Sequence, residues 1–455
     1  MTGLSWFGIA RLGLVQAMLG AVVVLTTSTL NRVMVVELAL PALLPGLLVA
    51  LHYAVQISRP RMGFGSDVGA RRTPWIIGGL VVLATGGFLG AVATTWMGGA
   101  SSSAGLALAV FAFMLVGLGV SAAGTSLLTL LAKRVDAPRR GGAAALVWVM
   151  MIVGFAVTAG TAGKFLDPYS PERLIAVSGT VSLIAVVVAV LALWRLEGHS
   201  HAFVATNNPM TATKFRAALA EVWREPDARR FTIFVFVSML AYSAQDLILE
   251  PFAGVMFAYT PGESTQLSGV QHGGTLAGML LAALAGRRLF GVGVGSLRVW
   301  TVWGCVASCI ALGGLAFAGF GGSTVTAHWP LRANVFVMGV ANGAFSIAAI
   351  GSMMALASGS GMGRGGREGT RMGLWGAAQA IGFAGGGLIG TALSDLTRWI
   401  IGAPGPAYAI VFAAESLLFI AAALLARRIS VPSGITGTDA LPVLAGAPQT
   451  IEERS

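Results

Sequence analysis

Charge is what this sequence has least of. Only 10% of its 455 residues are Asp, Glu, Lys or Arg, against about a quarter in an ordinary soluble domain. With 56% hydrophobic residues and a mean hydropathy of +0.81, that scarcity excludes a soluble globular protein. Cysteine is nearly missing too. Cys305 and Cys309 stand four apart in one apolar segment, where they share a helical face but lack disulfide geometry, so both are read as small packing residues. No Walker loop, nucleophile elbow or metal-ligand spacing occurs, and the Gly-rich run 359–366 lacks the Lys-Ser/Thr ending and preceding strand of a phosphate cradle. An enzyme is therefore not expected. The short alternating segments of an outer-membrane barrel are also missing: stretches such as 76–92 are continuously apolar, which excludes that architecture. Residues 1–38 lack a small-residue cleavage site after a short apolar core and are read as a first anchor, not a removable signal.

What remains is a run of apolar segments long enough to span a bilayer, which takes about 20 residues each. The pattern predicts an all-α membrane protein with spans near 12–36, 42–58, 75–97, 104–132, 143–164, 174–195, 231–257, 267–286, 299–320, 331–357, 374–395 and 407–427. The formal net charge of +11 does not indicate nucleic acid, because the basic residues sit between spans. With both termini inside, all but five of the 29 Lys and Arg residues (Arg32, Lys164, Arg173, Arg332 and Arg398) fall on the inner side. The positive-inside rule therefore places both termini in the cytoplasm. Residues 1–195 form a first six-helix half and 231–427 a second. Between them, 196–230 is a cytoplasmic linker whose later part spaces Phe215, Ala218, Leu219, Val222 and Trp223 as an amphipathic surface helix. The tail 428–455, rich in Pro, Gly and Thr, is expected to be disordered.

Six spans, a loop and six more spans is the ground plan of the major facilitator superfamily, built from parallel repeats. After span two comes Gly63-Phe64-Gly65-Ser66-Asp67-Val68-Gly69-Ala70-Arg71-Arg72, which resembles that superfamily's loop signature. Gly63 permits a tight turn, Asp67 suits a helix N-terminus, and Arg71 and Arg72 suit carboxylates or phospholipid headgroups. The equivalent stretch of the second half, Gly286-Arg287-Arg288-Leu289-Phe290, has no Asp. Spans five and eleven are crowded with glycine, for example Gly154, Gly160 and Gly163, and Gly382, Gly385, Gly386, Gly387 and Gly390. Such residues let helices approach closely, and 382–390 is also expected to offer a surface to another membrane protein.

The string Leu30-Asn31-Arg32-Val33-Met34-Val35-Val36-Glu37-Leu38, with Leu40-Pro41-Ala42 and Arg59-Pro60-Arg61 after it, resembles the PucC/LhaA, or bacteriochlorophyll delivery, family of phototrophic bacteria. The likeness continues through Trp148-Val149-Met150-Met151-Ile152-Val153-Gly154 and Gln245-Asp246-Leu247-Ile248-Leu249-Glu250-Pro251. Within the family, the start of the chain looks most like the branch encoded beside bacteriochlorophyll synthase. The resemblance implies an assembly factor of the intracytoplasmic photosynthetic membrane, binding bacteriochlorophyll or delivering it to light-harvesting antenna polypeptides. Antenna polypeptides, reaction-centre components or bacteriochlorophyll synthase, together with membrane lipids, are the implied partners. A proton-coupled transporter of an amphipathic solute, with Asp246 or Glu250 as the protonated carboxylate, and a pigment-free scaffold remain open alternatives.

Ionisable groups inside spans are costly unless paired or wetted. Arg32, near the outer end of span one, is therefore expected to pair across the halves with Asp246 or Glu250 of span seven, leaving Glu37 to solvent and Glu415 as a hydrogen-bonded structural carboxylate. A magnesium chlorin takes one axial ligand, most simply a neutral imidazole. Of the five histidines, His52 is well inside a span and is the first candidate to ligate the pigment's magnesium. His272, placed at the outer start of span eight, is the second.

Overall fold

The computed structural model describes residues 4–56, 71–99, 101–136, 139–197, 223–285, 296–358 and 368–428. Among them the chain is helical and contains no strand. In chain order the long helices are α1 (Trp6–Glu37), α2 (Leu43–Val55), α3 (Thr73–Met97), α4 (Ser102–Arg134), α5 (Arg140–Leu166), α6 (Pro171–Leu193), α7 (Pro226–Phe257), α8 (Pro261–Ala285), α9 (Leu297–Phe320), α10 (Leu331–Ser358), α11 (Glu368–Ile401) and α12 (Pro404–Arg427). A short helix, Gly322–His328, sits between α9 and α10. Ten of these helices are long and apolar enough to cross a membrane, so the protein is a multi-pass membrane protein. The other two differ for separate reasons. Helix α2 has only 13 residues, about 20 Å at 1.5 Å per residue. Helix α8 has 25 residues but buries Ser264, Thr265, Ser268, Gln271, His272 and Thr275, a polar face turned inward.

The ends are set by local chemistry. Ser5 and Ser170 accept hydrogen bonds from the amides of Gly8 and Arg173, and Pro171, Pro226 and Pro404 occupy first-turn positions where a missing N–H costs nothing. At the far end of α6, the Arg11 guanidinium donates to the carbonyls of Ala192 (2.8 Å) and Trp194 (2.5 Å). That places a cation on orphan carbonyls at the negative end of a helix dipole.

Helices α1–α6 pack chiefly on one another, and so do α7–α12. The contacts α1–α5, α1–α6, α2–α4, α3–α4 and α3–α6 recur six helices later as α7–α11, α7–α12, α8–α10, α9–α10 and α9–α12. The broadest contacts between the two sets are α2–α11 and α5–α8. Glycine makes these approaches close: a Cβ on Gly154 would collide with the Ala17 carbonyl, and one on Gly386 with the Leu240 carbonyl. Gly382, Gly387 and Gly390 likewise face α7. This corrects the expectation of a partner surface at 382–390, because α7 already occupies that face. The large apolar side chains exposed on α6, such as Leu183, Ile184, Val187 and Leu191, are what lipid-facing positions require. Gly63 and Asp67, the amphipathic stretch up to Val222, and nearly all of the tail 428–455 lie outside the described residues.

Candidate functional site

The backbone of α1 is irregular where its most distinctive sequence lies. Five-residue π-helical segments, Leu25–Thr29 and Val33–Glu37, flank the single α-turn Leu30–Arg32. The wide turns show in the bonds Leu30 N–H to Leu25 carbonyl and Leu38 N–H to Val33 carbonyl, each five residues back. Thr26 and Thr27 return their hydroxyls to the Val22 and Val23 carbonyls at 2.8 and 3.0 Å. Each π-turn advances the helix surface, a deviation that recurs at functional sites. Here it carries buried Asn31 and Arg32 against α7.

Helix α7 answers with its own irregularity. Pro251 lies inside it and has no N–H to give to the Leu247 carbonyl four residues earlier. Asn31 takes that place, its Nδ2 donating to the Leu247 carbonyl at 2.7 Å. The Asn-Arg string of α1 and the Asp-Leu-Ile-Leu-Glu-Pro string of α7 are thus two sides of one contact.

Arg32, only 2% exposed, donates to Glu37 Oε1 and to the Tyr259 carbonyl, both at 2.7 Å. Gly254 makes room for it, since a Cβ there would lie 2.8 Å from the guanidinium. The expected Arg32 pairing with Asp246 or Glu250 is corrected: the guanidinium reaches along its own helix to Glu37, which is half-buried instead of solvated. Asp246 accepts from Gln271 Nε2 at 2.9 Å, and Glu250 accepts from the Ser268 hydroxyl at 2.5 Å. Thr29 and Thr265 join α1 to α8 through their hydroxyls at 3.1 Å. The inward face of α8 is therefore what makes two intramembrane carboxylates tolerable.

This cluster is not fully satisfied. Asn31 Oδ1, Arg32 Nε, Glu250 Oε2, both amide atoms of Gln245 and both carboxylate oxygens of Glu415 are buried without a hydrogen-bond partner. Native interiors leave few such atoms, and their concentration marks a place built for more than packing. For Glu415 it overturns the expected hydrogen-bonded carboxylate. Gln245, Ser268, Gln271 and Asn31 carry no motif of their own; the signal that pointed to them was a proline within an apolar span.

The histidines separate clearly. His52 is buried at the end of α2, with Nε2 2.8 Å from Gln56 Nε2 and its ring 4.5 Å from Tyr53. An amide N–H donating to that nitrogen occupies the lone pair a metal would need. Tyr53 stacks on Phe383 of α11 at 5.4 Å, and Phe383 meets Tyr242 of α7 edge-on at 5.9 Å, so aromatic rings fill the α2–α11 seam. His272 lies near the middle of α8, not at its start, and is buried. Its Nδ1 is 2.8 Å from the Ser268 carbonyl, and a carbonyl only accepts, so the proton sits on Nδ1 and Nε2 is left as the acceptor. The ring packs edge-on against Phe155 of α5 at 4.9 Å. By this chemistry His272, not His52, presents a coordinating nitrogen.

At the other end of the bundle, Arg71 is exposed and Arg72 buried. The first amides of α3, those of Arg72 and Thr73, donate to the two Glu197 oxygens at 2.6 and 2.8 Å. Glu197, in the segment after α6, thus performs the helix-capping role that the loop signature suggested for Asp67. Arg134 donates to the Glu197 carbonyl, and Arg139 donates to the Leu4 carbonyl at 2.6 Å with its guanidinium over the Trp6 ring.

The architecture defines a class first: this is a polytopic helical protein with the fold of major-facilitator-like transporters. A nucleoside transporter, NupG, superposes with a TM-score of 0.65 over 93% of this chain and 99% of its own, at 14% identity. A structure described as a study of substrate recognition in proton dependent oligopeptide transporters gives a TM-score of 0.61 at 15% identity, over 93% and 98%. The chain itself belongs to the PUCC protein family, whose model matches residues 29–434. Among its relatives is the "Bacteriochlorophyll synthase 44.5 kDa chain" of Rhodobacter capsulatus, 52% identical over 95% of this chain and 97% of the relative. "Protein PucC" of Cereibacter sphaeroides is 31% identical over 92% and 93%.

Proposed function

We propose that this protein is a non-enzymatic assembly factor of the photosynthetic inner membrane that binds bacteriochlorophyll or passes it to light-harvesting antenna polypeptides. The observation that carries the reading is the near full-length 52% identity to a chain named for bacteriochlorophyll synthase, within the PUCC family. Twelve spans in two six-helix halves, with both termini cytoplasmic, complete it. The recurrence of the same five helix contacts six helices later supports the two halves. The five basic residues excepted from the inner count all lie at the ends where odd-numbered helices finish and even-numbered ones begin, which supports the orientation.

A magnesium chlorin held here would be ligated by the Nε2 of His272 at the α5–α8 contact, beside Phe155. Antenna polypeptides, reaction-centre components or the synthase are the partners to which it would pass. The absorption spectrum of detergent-purified protein from a pigment-making host tests this. A bacteriochlorophyll band is expected, and His272→Phe should lower it with the fold intact, whereas His52→Phe should not. Absence of pigment from the wild-type protein, with normal antenna levels in a deletion strain, would overturn the assembly reading.

A second reading, proton-coupled transport of an amphipathic solute, is favoured by one specific feature, the Asp246–Gln271 and Glu250–Ser268 pairs inside a transporter fold. Solute-driven proton uptake into proteoliposomes, abolished in Glu250→Gln, distinguishes it.

A further inference from the structure

On the face where odd-numbered helices end, two carboxylates act alike at two equivalent places. Asp395, near the end of α11, accepts from the amides of Ala42 (3.0 Å) and Leu43 (2.7 Å), the first N–H groups of α2. Asp167, directly after α5, accepts from the amide of Gly262 (3.2 Å) in the first turn of α8. Advancing six helices converts the α5–α8 contact into α11–α2, so each bond is the image of the other. Each places a negative charge on unpaired donors at the positive end of a helix dipole. Both are backed by steric closeness: a Cβ on Gly262 would strike the Asp167 carboxylate, and a Cβ on Gly46 of α2 would strike the Thr391 hydroxyl of α11. Arg32 adds a third tie on the same face through the Tyr259 carbonyl.

We propose that Asp167 and Asp395 form a paired clasp that holds the two six-helix halves together on this face, and that the protein passes through a second state in which both caps are released and the face parts. The inference rests on the two-half reading given above. Capping bonds at partly exposed carboxylates suit this use, because each is strong enough to set a population and weak enough to be broken on a working timescale. Opening there would expose the Asp246, Glu250 and Gln271 cluster from the face that is now shut, and the inter-half contacts broken would be those at the starts of α2 and α8.

Spin-label distance measurements on the full chain in nanodiscs test it, in a Cys305→Ala, Cys309→Ala background. Labels at Phe165→Cys and Ile400→Cys, both exposed at this face on α5 and α11, report separation of the halves. Labels at Phe165→Cys and Trp96→Cys report within the first half. Asp167→Asn with Asp395→Asn should add a longer component to the first distribution, shifting the ratio of populations about tenfold or more, while the second stays unchanged. A folded double variant with the wild-type cross-half distribution would overturn the clasp. Equal lengthening within and between halves would overturn the two-half reading and the clasp with it. If the double variant does not fold, each single Asn variant is read by the same criteria, with a severalfold shift expected.

Discussion

Asn31 shows how much one side chain can decide inside a membrane. The Leu247 carbonyl is orphaned by Pro251, and lipid supplies no water to satisfy it. Asn31→Leu should therefore cost about 1–3 kcal/mol, the usual penalty for a stranded buried acceptor. In a Pro251→Ala background the residue at 251 regains its N–H, so the same substitution should cost much less. Thermal unfolding of the four proteins in detergent checks the cycle; equal losses in both backgrounds would dismiss the contact. The Arg32 pair is open to the same test. Arg32→Met and Glu37→Gln should show a coupling of about 1 kcal/mol or more, whereas Arg32→Met combined with Asp246→Asn should be near additive. That Arg32 was special was readable in its sequence, because a guanidinium at that depth must be paired. Its partner was not: the π-turn after Arg32 alters the spacing along α1, and a 3.6-residue register does not foresee it.

At the scale of elements, glycines separate into those that face a neighbouring backbone and those that face open space. Gly386 and Gly376 both lie on α11, but a Cβ on the first collides with α7 while the second meets nothing within 4 Å. Gly386→Ala should lose about 1–3 kcal/mol through forced displacement. Gly376→Ala should be neutral or gain up to about 1 kcal/mol from helix propensity. Matching changes in melting temperature for the two variants would refute the packing assigned to α7–α11. Apolar runs made most helices legible, since length and hydropathy suffice for a span. They were less informative for α2, where the apolar window 42–58 outruns the observed 13-residue helix. For α8 they hid the reason for its polarity: Ser268, Gln271 and His272 point at α7 and α5 and not at solvent, and sequence alone gives residue type without direction. The same limit placed His272 at a helix start when it lies mid-helix, and so ranked it below His52.

For the whole molecule, orientation decides which compartment the shut face meets. The connections 38–42, 98–101, 167–170, 258–260 and 402–403 all lie on one side of the bundle, and Lys164, Arg173, Arg332 and Arg398 are its basic residues together with buried Arg32. The opposite side carries the rest of the 29 Lys and Arg residues, among them Arg11, Arg71, Arg139, Arg224 and Arg230. Translocating that second set during insertion would oppose the bias that fixes topology, so the side with short connections should face away from the cytoplasm. In a cysteine-free background, Ser103→Cys at the exposed start of α4 and Arg224→Cys just before α7 lie on opposite sides. A membrane-impermeant maleimide applied to intact spheroplasts should label Ser103→Cys at once and Arg224→Cys only after permeabilisation. The reverse order would invert the protein in the membrane. The Asp167 and Asp395 caps would then close the cytoplasmic side, and pigment or solute would have to approach the Glu250 cluster from the opposite compartment.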